Sequence, residues 1–136
     1  MNRYMGLDVG DKTIGVAISD PFFITAQGLY TIERIGIKKD MKEILSLIEK
    51  YEITRIVVGL PKNMDNSIGP QSEKVMDFVE KLKRRTRVEV VFHDERLTTV
   101  SAERILIEGN VSRKDRKKKI DTVAASYILQ NYLDCQ

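Results

Sequence analysis

The chain has 136 residues, of which 42% are hydrophobic and 32% charged, with only 3 prolines and 8 glycines. This composition excludes a disordered or fibrous protein, and the length allows one hydrophobic core but not two, so we expect a single domain over residues 1–136. No apolar stretch is long enough for a membrane span or has the form of a secretion signal, and the lone Cys135 suits a reducing compartment, which predicts a cytoplasmic protein.

Positive charge is concentrated in two segments, although the formal net charge is only +3. Six of the seven residues from Arg113 to Lys119 are basic, as are five of the seven from Lys81 to Arg87. Such clusters can bind the phosphates of nucleic acids through charge and counterion release. They are also common on solvated helix faces, and either cluster alone favours this second interpretation.

The first part of the chain predicts three antiparallel strands followed by a helix. Residues 3–9 and 14–20 have strand-like patterns joined by a hairpin turn at 10–13, and a third strand is expected at 27–33. The helix is predicted at 38–51 from apolar residues at helical spacing. These residues are Met41, Ile44, Leu45 and Ile48.

A strand, a helix and another strand come next. Short apolar strands are predicted at 55–59 and 88–92. Between them, a polar loop at 60–69 leads to a helix that begins at Pro70, because proline suits the first helical position. The apolar side chains that this helix turns inward are Val75, Phe78, Val79 and Leu82.

Two helices complete the predicted order. Thr98 or Thr99 can cap the first. The second follows a capping box at Ser112 and Asp115 and runs to about Leu133. Because helical crossovers make the later strands parallel, we predict a mixed α/β sheet flanked by helices.

Asp8 lies inside the first apolar strand. With Asp11 and Lys12 at the hairpin tip, Asp8 faces Gly15, and alternation puts it on the face opposite the apolar side chains. Those apolar side chains are Met5, Leu7, Val9, Ile14, Val16 and Ile18. The face of Asp8 carries the small residues Gly6, Gly15, Ala17 and Ser19. Small neighbours leave space for a metal ion or a phosphate, or alternatively allow tight helix packing; a carboxylate in an apolar strand favours the first interpretation.

Two further acids stand at informative positions. Glu95 follows the strand at 88–92, beyond the carboxyl end where ligands gather in sheets with parallel strands, although it could equally pair with Arg96. Asp121 heads a helical row whose other members are Ala124, Ala125, Ile128 and Tyr132. This places an acid on the core-facing side of the last helix, unless Asp121 caps a helix that starts at Thr122.

Three gathered carboxylates would repel one another, and hard divalent cations relieve that repulsion. Oxygen ligands favour Mg²⁺ or Mn²⁺, and two such ions about 3.5–4 Å apart activate a water and stabilise the leaving oxygen in phosphodiester hydrolysis. The sequence offers no strong alternative nucleophile, since His93 is its only histidine. The acids therefore indicate a metal-dependent nuclease.

Four segments of the chain resemble the YqgF family, whose members are described as pre-16S rRNA nucleases and as Holliday-junction-resolvase-like proteins. The segments occur in the family's order and span nearly the whole chain. They are Gly6–Asp20, Val57–Gln71, Asp94–Thr99 and Asp121–Asp134.

The resemblance implies a ribonuclease H-like fold with a five-stranded sheet in the order 3-2-1-4-5. It also implies that three acids are catalytic metal ligands, with Glu95 orienting the water as well. These acids are Asp8, Glu95 and Asp121. Lys62, Asn63 and Arg96 are further candidates for phosphate binding, on position and charge alone.

The substrate and two other classes of function stay open. Resolvases of this fold carry a fourth acid three residues after the third, where this chain has Ala124, which favours precursor rRNA over a four-way DNA junction. A junction would need a homodimer, whereas an RNA end needs only a monomer. The first motif also resembles that of actin-like and sugar-kinase ATPases, but those need two domains. A non-catalytic ribosome-assembly module would suit the basic clusters but not the acids.

Overall fold

The computed structural model describes residues 2–61, 69–94 and 113–136, and of residues 113–121 it describes the backbone only. Within these ranges every predicted strand and helix is confirmed, with ends shifted by one or two residues. The elements are β1 (Arg3–Val9), β2 (Thr13–Ser19), β3 (Ala26–Glu33), α1 (Ile37–Lys50), β4 (Ile53–Leu60), α2 (Pro70–Lys83), β5 (Glu89–Asp94) and α3 (Arg113–Asp134). The helix predicted after Thr98 or Thr99 and the capping box at Ser112 and Asp115 lie outside the described residues and side chains.

The strands form one five-stranded sheet in the order β3-β2-β1-β4-β5, which confirms the predicted order. β1, β2 and β3 pair antiparallel, whereas β4 pairs parallel with both β1 and β5. The carboxyl ends of β1, β4 and β5 therefore share one edge of the sheet, called the carboxyl edge below.

One face of the sheet is covered by α1 and α2. The apolar side chains predicted to alternate on β1 and β2 pack there, and all four inward residues predicted for α2 are buried. On α1, Met41 and Ile44 are buried as predicted, but Leu45 and Ile48 are only half-buried. The buried row continues through Leu47 instead, so α1 is rotated slightly from the predicted orientation.

The first turn of α1 buries an acid, Asp40, of which only 2% is exposed. Its carboxylate accepts hydrogen bonds from Arg34 Nε and from the backbone N–H of Ile35, each at 3.2 Å. These bonds satisfy a charge that would otherwise be costly to bury.

The opposite face of the sheet is covered by α3. Its buried side chains form a second apolar cluster with Ala17 of β2 and Val57 of β4. The contributing residues of α3 are Ala125, Ile128, Leu129 and Leu133. None of the helices in the described ranges is both long and apolar enough to cross a membrane.

Candidate active site

Asp8 is half-buried near the carboxyl end of β1. It pairs with Gly15 across the hairpin, which confirms the predicted register. On its other side β1 pairs with β4 up to Leu7 and Val58, so Asp8 lies one residue further toward the carboxyl edge. Asp8 therefore lies at the end of the sheet where ligands bind in proteins with parallel strands.

Two of the small residues on the face of Asp8, Gly6 and Ala17, serve helix packing rather than leave open space. A Cβ atom on Gly6 would lie 2.8 Å from Leu129 Cβ and 2.9 Å from the carbonyl oxygen of Ala125. Ala17, on the same face, is fully buried against α3. The expectation of free space at Gly6 is wrong, because α3 approaches this part of the sheet as closely as a glycine allows.

The direction of α3 follows from contacts at its two ends. Thr122 Oγ1 lies 2.6 Å from Thr31 Oγ1, and Thr31 pairs with Gly15, the partner of Asp8. Ten residues later, the Tyr132 ring lies against Tyr4 at the start of β1, with ring centroids 6.2 Å apart. The helix thus runs antiparallel to β1, and the residues just before Thr122 are at the carboxyl edge.

The far end of α3 is held by a polar and aromatic cluster. Arg55 donates a hydrogen bond of 2.9 Å from Nη1 to the Tyr132 hydroxyl, and its guanidinium lies 5.0 Å from the centre of the Tyr4 ring. Arg55 also forms an ion pair of 3.1 Å with Glu89 of β5. This cluster ties the helix to three strands at the edge opposite Asp8.

The structure describes the three predicted acids to different extents. Asp94 is the last residue of β5 and pairs with Leu60, so Glu95 comes directly after a strand that ends at the carboxyl edge. The backbone of Asp121 lies in α3 immediately before Thr122. The structure thus brings Asp8 and the backbone of residue 121 to one edge. Glu95 and the side chain of Asp121 lie outside what it describes.

The other predicted site residues, Lys62, Asn63 and Arg96, also lie outside the described residues. Within the described ranges, no three His, Cys, Asp or Glu side chains gather as a metal site. This finding does not bear on the predicted acids, because only Asp8 of the three has a described side chain.

Sequence reasoning missed Arg34, which holds the hairpin that follows Asp8. Its Nη1 donates to the carbonyl oxygen of Gly10 at 2.7 Å, its backbone N–H donates to that of Lys12 at 2.9 Å, and its guanidinium lies 5.2 Å from the centre of the Phe78 ring. The hairpin tip gains an exposed ion pair between Asp11 and Lys74, at 3.3 Å. No sequence pattern marks Arg34, because its place beside the hairpin follows only from the pairing of β3 with β2, in which Glu33 faces Thr13.

The two basic clusters differ in position. The cluster from Lys81 to Arg87 covers the end of α2 and the turn before β5, at the edge opposite Asp8. This position favours a solvated surface over a phosphate contact for that cluster. The cluster from Arg113 to Lys119 lies in the first turns of α3, and its side chains are outside the described part of the chain.

Comparison with known proteins gives a consistent result. A family profile described as "RuvX: Holliday junction resolvase" matches residues 2–135. A protein of Clostridioides difficile named "Putative pre-16S rRNA nuclease" is 58% identical over 97% of this chain and 94% of its own. One of Caldanaerobacter subterraneus subsp. tengcongensis with the same name is 59% identical over 98% and 97%.

Solved structures agree on the fold. RuvC of T. thermophilus in complex with a Holliday junction substrate has a TM-score of 0.62 at 12% identity, covering 99% of this chain and 95% of that one. The fowlpox virus resolvase with Holliday junction DNA has a TM-score of 0.56 at 15% identity, covering 98% and 97%. At these identities the likeness concerns the fold alone, and it confirms the predicted ribonuclease H-like class.

Proposed function

Because the chain belongs to the family described as RuvX, Holliday junction resolvase, and is therefore a nuclease, we propose that it cleaves the 5′ extension of precursor 16S ribosomal RNA. The names of its sequence relatives support this substrate. The reaction would be hydrolysis of a phosphodiester bond. Its setting would be the cytoplasm, on a precursor of the small ribosomal subunit.

The observation that carries the proposal is the convergence at the carboxyl edge. Asp8 lies near the end of β1, β5 ends one residue before Glu95, and α3 runs antiparallel to β1 with Thr122 above the row of Asp8. We infer that two strand ends and one helix would bring three carboxylates from distant parts of the chain to one region. Such a gathering is unfavourable unless cations are bound there.

These residues fit a divalent metal centre by the chemistry of their donors. We propose that Asp8, Glu95 and Asp121 would hold Mg²⁺ or Mn²⁺, since carboxylate oxygens are the ligands that these hard ions prefer, and that two ions would bind. When bound, such ions activate a water and stabilise the leaving oxygen.

The remaining roles belong to residues of the chain itself. Half-burial of Asp8 against the sheet, beside a hairpin pinned by Arg34, restricts the directions its carboxylate can take. Glu95 would orient the attacking water. Lys62, Asn63 and Arg96 would bind the flanking phosphates. The amino terminus of α2, which begins at Pro70, would favour the same negative charge, because helix amino termini attract anions.

A second candidate function is cleavage of four-way DNA junctions. It is favoured by the description of the family and by the fold shared with junction resolvases. Against it stands Ala124, at the position of the fourth acid, which is fully buried in the packing of α3. A carboxylate at this buried position would be costly without a partner. We therefore place precursor RNA first.

The two candidates are separated by a cleavage assay with matched substrates. A labelled RNA with the 5′ extension of 16S rRNA and a labelled four-way DNA junction are incubated with the protein in Mn²⁺, Mg²⁺, Ca²⁺ or EDTA. We expect cutting of the RNA in Mn²⁺ and Mg²⁺ but not in EDTA, with Ca²⁺ permitting binding but little turnover. Cutting of the junction alone would reverse the order of the two candidates. Binding of both substrates without cutting would favour the non-catalytic module.

A further inference from the structure

The side chain of Thr122 makes two contacts with β3 that together fix its orientation. Its Oγ1 lies 2.6 Å from Thr31 Oγ1, a hydrogen bond in which either hydroxyl can donate. Its methyl group, Cγ2, lies over Gly28, where an added Cβ would be only 2.5 Å away. The hydroxyl thus points to one residue of the strand and the methyl to another, so the side chain has a single way to fit.

The contact with Thr31 lies in line with Asp8. Thr31 pairs with Gly15 and Gly15 with Asp8, so the three residues form one row across the sheet. Two strand spacings separate the ends of this row, which is roughly 10 Å. The backbone of Asp121 directly precedes Thr122 in α3.

We propose that the contact of Thr122 with Thr31 and Gly28 is a positioning contact, which sets the height and rotation of the first part of α3 relative to Asp8. The inference rests on the proposed function, in which Asp121 is a metal ligand. Thr31 and Thr122 would act through Asp121 and would not touch the substrate.

The packing of the rest of α3 explains why this contact has a separate role. From Ala125 onward the helix is held by its apolar cluster and, near its end, by the bond between Arg55 and Tyr132. The hydrogen bond of Thr122 is the one nearest to Asp121 among those described between α3 side chains and the sheet. Its loss would leave the helix docked but release the turn that carries Asp121.

The first test removes one hydroxyl without changing shape. Thr31→Val should raise the Mn²⁺ concentration for half-maximal cleavage and lower kcat about 10- to 100-fold, because small misplacements at a reaction centre are that costly. KM for the RNA should stay unchanged. Thr31→Ser, which keeps the hydroxyl, should restore both values. Thr54→Val is the matched control, since Thr54 is exposed on β4 and its hydroxyl makes only a 3.5 Å bond to the Arg3 carbonyl.

The second test uses the methyl contact. Gly28→Ala puts a Cβ against Thr122 Cγ2, and turning the Thr122 side chain to avoid it would break the bond to Thr31. Thr122→Ser removes the methyl and keeps the hydroxyl. The single variant Gly28→Ala should therefore lose kcat and metal affinity, and Gly28→Ala combined with Thr122→Ser should recover them.

Calorimetric titration of the same proteins with Mn²⁺ separates this inference from the proposed function. If the wild type binds Mn²⁺ but cuts no RNA, the proposed activity fails, and weaker Mn²⁺ binding by Thr31→Val still supports the positioning contact. The positioning contact is overturned if Thr31→Val binds Mn²⁺ as tightly as the wild type, or if the double variant of Gly28 and Thr122 does not recover. Neither outcome contradicts the proposed nuclease activity. A wild type that neither binds Mn²⁺ nor cuts overturns both.

Discussion

Replacement of Gly6 by alanine tests whether α3 covers the face of the sheet that carries Asp8. The new Cβ would lie 2.8 Å from Leu129 Cβ and 2.9 Å from the Ala125 carbonyl oxygen. Neither atom can move away by rotation of a side chain, because one is a Cβ and the other belongs to the helix backbone. The helix must shift outward by several tenths of an ångström, which disturbs the packing of its whole apolar cluster.

Two opposing terms set the magnitude. Overpacking of a well-packed interior costs about 1–3 kcal/mol. Alanine also reduces the conformational freedom of the unfolded chain, which stabilises the fold by about 0.4–1 kcal/mol where the native φ suits it. Gly6 is not among the positive-φ glycines, so this second term applies. The net expectation is a loss of about 0–2.6 kcal/mol in the free energy of unfolding.

Urea denaturation of wild type and Gly6→Ala measures this difference directly. At about 3–4 °C per kcal/mol, the melting temperature should fall by up to about 10 °C. The sign of the effect is decisive. If α3 did not lie against Gly6, only the entropic term would remain and the variant would be more stable than the wild type. An increase in stability would therefore refute the close approach of α3 and the placement of Asp121 that depends on it.

Two further predictions concern acids outside the site. Asp40→Asn should destabilise the protein by about 2–3 kcal/mol in urea, because the single amide oxygen cannot accept from both Arg34 and the Ile35 N–H and the buried ion pair is lost. Asp11→Asn, which breaks an exposed ion pair, should cost less than about 1 kcal/mol, and equal effects of the two variants would contradict the burial of Asp40. Backbone hydrogen bonds, chiefly from Thr25, lower the pKa of Asp20 below its ordinary value. The ionised carboxylate should stabilise the fold fully above the unfolded pKa of about 3.9 and lose this effect as the pH falls through the folded pKa. The difference in the free energy of unfolding between wild type and Asp20→Asn should therefore become smaller in acid. A difference that becomes larger in acid would contradict this.

Local patterns predicted much of this fold because they depend on neighbours in sequence. The alternation of apolar residues and the position of the hairpin turn were enough to predict the pairing of Asp8 with Gly15. Helical spacing identified the buried residues of α2. The order of the strands was different: it rested on the family resemblance, because periodicity carries no information about which distant strands pair.

The features that sequence reasoning missed or misjudged depend on contacts between side chains that no sequence pattern links. Gly6 appeared to leave space for a ligand, but whether a helix fills that space depends on α3, more than a hundred residues later. The buried Asp40 depends on Arg34, which the same reasoning had no reason to turn inward. Thr31 and Thr122 are 91 residues apart, and neither carries a signal by itself.

The central claim is that Asp8 belongs to a metal-dependent nuclease site, and cleavage of labelled 5′-extended precursor RNA in Mn²⁺ by wild type and Asp8→Asn tests it most directly. We predict that the variant keeps its circular dichroism spectrum and melts cooperatively like the wild type, but loses cleavage by about 100-fold or more, as expected when a ligand of the reaction centre is removed. Cleavage at the wild-type rate by the folded variant would contradict the claim, and loss of folding would make Asp8 a structural residue.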